Sequence, residues 1–275
     1  MLCRLAERSK HGTVPGFDWR GRAGEDDAEM RRRLPATMLL PALDAAQRDR
    51  HTGPMCVNYL TPGRRELADH FGVQPPEEDW KEEVWQNYAA PIIVDRGQGP
   101  EALLANYGFV PKSHLPPGVR LTTMNARAET AGQLRTYRHA WHAGQFCLVP
   151  MQAFFEPCYA TGRAERWKIG LASGGPFAVA GLWRSWEEVD GRTTHAFTQL
   201  TVNADHHPLM RQMHKPGDEK RSLVIIEPEQ CAAWLENRDP ELARSWLTLL
   251  PAASLHAEPA PRTAPSRRQT PGLFE

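Results

Sequence analysis

A chain of 275 residues is long enough for one large domain or two modest ones. It is 41% hydrophobic and 24% charged with a formal net charge of zero, so a sizeable core can form and bulk charge gives no argument for nucleic acid. No apolar run approaches the roughly 20 residues of a membrane-spanning helix, and the N-terminal "MLCRLAERSKHG" lacks a signal peptide's apolar stretch.

Residues 1–54 hold ten Lys+Arg and eight Asp+Glu, "RGRAGEDDAEMRRR" among them. They bury little and read as a disordered, non-native or removable extension. From residue 55 onward the elements are legible. "TPGRRELADHFGV" predicts a helix with Thr61 as N-cap, Pro62 at the first helical position, and Gly72 just past the end. Leu67 and Phe71 fall on its inner face. Seven strand-like runs follow: "APIIV", "ALLANYGFV", "FCLVPMQAFFE", "RWKIGLA", "FAVAGLW", "AFTQLTVNA" and "RSLVIIE", each bounded by Gly, Pro or charge. Between the second and third, "ETAGQLRTYRHAWHAG" places Leu134, Arg138 and Trp141 at helical spacing and stops at Gly144. "PEQCAAWLEN" and "DPELARSWLTLL" predict two closing helices, and residues 251–275 read as a disordered Pro-rich tail. Without regular βα alternation, the expectation is an α+β domain over 55–250. Its core would be a curved, mostly antiparallel sheet or barrel with peripheral helices.

Five widely spaced cysteines without a C-x-x-C point to reduced thiols in a cytoplasmic protein, not to disulfides or structural zinc. No cofactor or metal is expected. A cysteine is more often a small buried hydrophobe than a nucleophile, but Cys56 directly follows Met55, where the recognisable domain begins. If the chain starts at Met55 and that residue is removed, Cys56 carries a free α-amine beside its thiol. An α-amine titrates near about 8, so much of it is neutral and nucleophilic at cellular pH. It can condense with an aldehyde, and the thiol can then close a five-membered thiazolidine intramolecularly.

Further along, "MNARAET" reads in isolation as a strand end and helix cap, with Arg127 solvated and Glu129 in a first turn. "AFFEP" sets Glu156 among aromatics, either as an outward strand residue or as a proton-transfer group. "NADHHPLMRQMHKPGDEKR" supplies His206, His207 and His214; without a cysteine or carboxylate at ligand spacing, one catalytic histidine fits better than a zinc set.

Taken together, Met55-Cys56, "YGFVP", "NARAET", "FCLVPMQAFFEP", "AGLW" and "PLMRQMHKPGDEKR" resemble, in order and spacing, the SRAP family of SOS-response-associated peptidases and abasic-site processing proteins. The resemblance runs from Met55 to about Leu250. It implies a covalent thiazolidine link between an N-terminal Cys56 and the opened sugar of an abasic site in single-stranded DNA. It further implies that Asn125 holds the opened sugar, Arg127 contacts a phosphate, Glu156 acts as general acid/base and His214 polarises the sugar hydroxyl. The same cysteine is implicated in releasing the residues before it. Tyr107 of "YGFVP" is among the aromatic side chains that can stack on unpaired bases.

The run departs from the family in places. Cys56-Val57-Asn58 replaces Cys-Gly-Arg, leaving Asn58 a neutral hydrogen bond where an arginine would meet phosphate. Pro157 stands where a Trp is common, and Ser222-Leu223 where a Met-Pro pair is usual. Arg135, Arg138, Lys168 and Arg211 could join Arg127 along a groove. The tail's "QTPGLF" is similar to sliding-clamp-binding peptides with one extra residue. A cysteine peptidase acting in trans through Cys56 and His214, and a non-catalytic single-stranded DNA-binding module, are the alternative readings.

Overall fold

The computed structural model describes residues 57–262. In chain order, β1 (Asn58–Leu60), α1 (Arg64–Phe71) and β2 (Glu83–Trp85) come first, then the hairpin β3 (Ala89–Asp95) and β4 (Pro100–Tyr107). After these come β5 (Asn125–Arg127), α2 (Arg138–His142), β6 (Phe146–Met151), β7 (Ala153–Cys158), β8 (Glu165–Leu171), β9 (Phe177–Glu187) and β10 (Thr193–Asn203). The end carries β11 (Arg221–Leu223), β12 (Ile225–Ile226), α3 (Cys231–Glu236), α4 (Pro240–Arg244) and β13 (Leu255–Pro259).

Five of these strands close a ring. β4, β3, β6, β9 and β10 pair antiparallel in that order, and β10 returns to β4 in parallel at Ala196–Asn106 and Phe197–Tyr107. A second sheet runs β13-β8-β7-β1-β2, antiparallel throughout. The α+β, mostly antiparallel, barrel-like expectation holds.

β3, β6 and the first part of β9 are buried on both faces, which explains their near-continuous apolar runs, whereas β4 is mostly half-exposed. Along β6, Cys147, Val149 and Met151 face the core shared with the second sheet, whereas Phe146 and Leu148 face a separate cluster under the helices. Trp141, Trp234 and Leu67 fill that outer cluster, and the Trp234 indole donates to the Cys147 carbonyl at 2.9 Å.

Several local expectations need correction. Helix α1 starts at Arg64, not Pro62, with Gly63 as its cap. The Glu66 carboxylate accepts from the Gly63 N–H at 2.9 Å, while Thr61 is drawn into the sheet: its N–H donates to the Glu82 carbonyl. Gly72 does end the helix, in the left-handed conformation. Only Arg138–His142 of the second predicted helix is helical. The preceding turns pack Gly132 so tightly under Trp141 that a Cβ there would lie 2.8 Å from the indole. "FCLVPMQAFFE" is two strands in two sheets, parted at Gln152, whose side chain donates to the Glu66 carboxylate. Residues 255–259, expected in a disordered tail, form β13 along the edge of β8; an edge strand tolerates Pro259 and gives no periodic signal. The extension 1–54, Cys56 and the "QTPGLF" segment lie outside the described residues. Among the described residues no helix is long and apolar enough to cross a membrane.

Candidate active site

The site is built where β1 meets β7. Along β7, Phe154 and Cys158 point into the core, and strand alternation turns Glu156 between them to the same side. The glutamate is 3% exposed. β1 pairs antiparallel with Tyr59 opposite Phe154. Two residues back from Tyr59 is Val57, and two residues on along β7 is Glu156, so this carboxylate lies level with Val57, which follows Cys56 in the chain.

His214 approaches from the loop after a short turn at Met210–Gln212. Its backbone has φ 62°, which a non-glycine residue adopts at some strain. Its N–H donates to the Pro157 carbonyl at 2.8 Å, and its carbonyl accepts from the Lys220 ammonium at 3.3 Å. Nε2 of His214 lies 3.1 Å from Oε2 of Glu156, with both side chains almost fully buried. Nδ1 of His214 is also buried and has no hydrogen-bond partner among the described residues. The structure separates the three histidines the sequence offered. His207 Nδ1 accepts from the Met210 N–H, so its Nε2 donates to the Leu250 carbonyl. His206 is exposed. Only His214 faces a carboxylate among these three.

Asn125 heads β5, opposite Gln199 of β10, and its carbonyl accepts from the Tyr137 hydroxyl at 3.4 Å. Burial pushes the Tyr137 phenol well above its ordinary value, so it stays a donor. Tyr107 differs from expectation. It is fully buried, edge-on to Tyr59 at 5.3 Å and stacked on Phe197, and its hydroxyl donates to Gln199 Oε1 at 3.1 Å. It is a wall of the core that links β1 to the strands carrying Asn125, not an exposed stacking surface.

Arg127 pairs with Glu219 at 2.7 Å. Glu219 also takes the fully buried Arg221, whose other amine reaches Glu129, so a charge chain ties β5 to β11 across β10. Burial pushes the Glu219 carboxyl up, but the Arg221 hydrogen bond, with Asn203 and Arg127, pulls it below its ordinary value overall. Asn58 is buried, and its amide donates to Glu83, which also receives Arg166 at 2.7 Å. Glu83 and Arg166 carried no signal in the sequence; 83 residues separate them. Among the described residues no three His, Cys, Asp or Glu side chains converge as metal ligands. A cleft of about 380 Å³ lined by Thr61, Arg64, Glu66, Trp80 and Gln152 shares none of the expected site residues.

The sequence and the fold have known counterparts. The family described as SOS response associated peptidase (SRAP) matches residues 55–263, and the chain belongs to that family. It is 26% identical over 168 residues to abasic site processing protein YobE of Bacillus subtilis, covering 60% of this chain and 73% of that protein. Abasic site processing protein YoqW of Bacillus phage SPbeta is also 26% identical, with 71% of it covered. Among solved structures, a Bordetella bronchiseptica protein superposes with a TM-score of 0.67 at 31% identity, covering 75% of this chain and all of that one. A Bacteroides thetaiotaomicron protein at 20% identity shares the fold, with a TM-score of 0.60 over 74% of this chain and 90% of its own.

Proposed function

We propose that this protein processes abasic sites in DNA, capturing the opened sugar covalently through Cys56 as an N-terminal residue. The observation that carries this reading is the buried Glu156–His214 pair, 3.1 Å apart, level with Val57, the residue after Cys56. Family membership supports it, as do the names of the Bacillus relatives. The family match starts at Met55, one residue before the cysteine.

In this mechanism the α-amine of Cys56 adds to C1 of the ring-opened deoxyribose and expels one water to give a Schiff base. The thiol then adds across the C=N bond, its proton passing to nitrogen, and a thiazolidine closes. Glu156 supplies the proton that opens the sugar and helps expel water; His214 polarises the sugar hydroxyl and assists reversal. Asn125 holds the opened sugar and Arg127 steadies a neighbouring phosphate. Hydrolysis of the Met55–Cys56 peptide bond, with the cysteine thiol as nucleophile, frees the amine that capture needs. The substrate is the single-stranded form, in which the sugar is open to approach, and the protein acts in the cytoplasm on the nucleoid.

The deciding experiment is an intact mass of the protein expressed from its own gene, before and after incubation with a single-stranded oligonucleotide carrying one abasic site. A chain beginning at Cys56 that gains the oligonucleotide's mass less one water supports the proposal. A chain that begins at Cys56 and gains nothing refutes it.

A further inference from the structure

On the outward face of the five-stranded sheet, two arginines lie on aromatic rings beside β1. The Arg166 guanidinium stands 3.3 Å from the centre of the Phe155 ring, and that of Arg262 stands 4.3 Å from the Trp85 ring. Both rings flank Asn58. Trp85 is its cross-strand partner on β2, and Phe155 adjoins Phe154, the partner of Tyr59 on β7. Cys56 precedes Asn58 by two residues in the sequence.

The charges here do not balance. Glu83 meets Arg166 at 2.7 Å and accepts from Asn58, but Arg262 has no ion pair among the described residues. Arg166 gives one amine to Glu83 and another to the Ala260 carbonyl at 3.2 Å, and its buried Nε has no partner among the described residues. Burial holds the Arg166 guanidinium below its ordinary value; Glu83 opposes this, and the nearby positive charge of Arg262 adds to it. A guanidinium lying on an aromatic face keeps its edge of N–H donors turned away from the ring, in the geometry that binds phosphate. Glu83 pairs with Arg166 and not with Arg262, which leaves the positive charge of Arg262 without an ion pair among the described residues beside the start of β1.

We propose that Arg166 and Arg262 form a phosphate-holding ledge for the single-stranded DNA that enters the Cys56 site, supplying from β8 and the end of β13 the charge that Asn58 lacks. The inference rests on the reading of Cys56 as the capture residue, and it assigns the path of the strand over the outward sheet face. The buried Glu156 side serves the sugar, and the outward side serves the backbone next to it.

The test uses the full chain and an oligonucleotide bearing tetrahydrofuran, an abasic analogue without an aldehyde, so that binding is read apart from capture. Fluorescence anisotropy across a salt series is measured for wild type, Arg262→Ala, Arg166→Gln and the control Arg65→Ala, whose residue is exposed on α1. Each ledge variant is expected to weaken binding about tenfold. Each should also lower the slope of log affinity against log salt by about 0.7, the loss of one phosphate contact on a single strand. Arg65→Ala should leave both unchanged. One neutral methylphosphonate linkage beside the analogue should weaken wild type to a similar extent and leave the ledge variants unaffected. Unchanged slopes in both variants, or an undiminished methylphosphonate effect in them, overturn the ledge. If Arg166→Gln fails to fold, the exposed Arg262 still decides the matter. Loss of slope in a protein that captures no aldehyde would keep the ledge and refute the capture chemistry; capture with unchanged slopes would do the reverse.

Discussion

His214 stands in the left-handed region, a conformation that costs a non-glycine residue on the order of 1–2 kcal/mol. The bonds from Pro157 and Lys220 hold it there, and the result is an imidazole against Glu156. Under the proposed chemistry, Glu156→Gln should slow capture about a hundredfold, the usual effect of removing a positioned proton donor, while leaving tetrahydrofuran binding intact. Single-turnover gels of crosslink against time measure this, and a wild-type rate would remove Glu156 from the mechanism. The three cysteines among the described residues divide by burial. Cys147 and Cys158 are enclosed, and burial pushes the Cys147 thiol well above its ordinary value, so little thiolate forms. Iodoacetamide on the native protein should label the half-buried Cys231 well before either, and peptide mass mapping distinguishes the three. At this scale the sequence conveyed identity and little of environment. Tyr107 read as a stacking residue because nothing in "YGFVP" announces that Gln199, 92 residues on, receives its hydroxyl in the core.

Among the elements, β9 shows how closely the ring is drawn. A Cβ on Gly181 would lie 2.7 Å from the Thr198 carbonyl and 2.8 Å from the Cys147 sulfur, the one backbone and the other buried. Gly181→Ala should therefore destabilise the fold by about 2–3 kcal/mol, read as a lower denaturant midpoint with an unchanged slope. The Arg127–Glu219–Arg221–Glu129 chain sets an acid limit. Because the native Glu219 carboxyl lies below its ordinary value, its contribution is fully present above that value and disappears as pH falls through the native one. Glu219→Gln should thus lower the melting temperature between pH 6 and 8, well above ordinary carboxylate values of about 4 where that contribution is present, and flatten its decline on the acid side until the two proteins converge. β3, β6 and β9 were readable because burial on both faces makes them nearly unbroken apolar runs. The three-residue β1, β2 and β5 were not, because their pairing partners, not their own patterns, make them strands.

Over the whole molecule, the barrel presents β10 to β4, and the second sheet lays β1 against β7. Glu156 and His214 come from a strand and a loop that meet at 3.1 Å, and the Tyr59–Tyr107 contact joins the second sheet to the barrel. β13 completes the second sheet by covering β8 from Leu171 to Trp167. Ending the chain at residue 250 would expose that edge and remove Arg262. A lower melting temperature and edge-driven association in size-exclusion chromatography are expected. An unchanged elution volume with an unchanged melting temperature would show that β13 is dispensable.

The sequence by itself determined the α+β class with a curved sheet or barrel, the run of long strands and the identities of the candidate chemical residues, because burial patterns and reactive side-chain types are local properties. Tertiary structure alone decided that His214 and not His207 faces Glu156, that Tyr107 is core, that β13 belongs to the sheet and that Arg166 stands beside Asn58. Each of these depends on contacts between residues far apart in the chain, whose partners are chosen by the closure of the ring and the register of the second sheet.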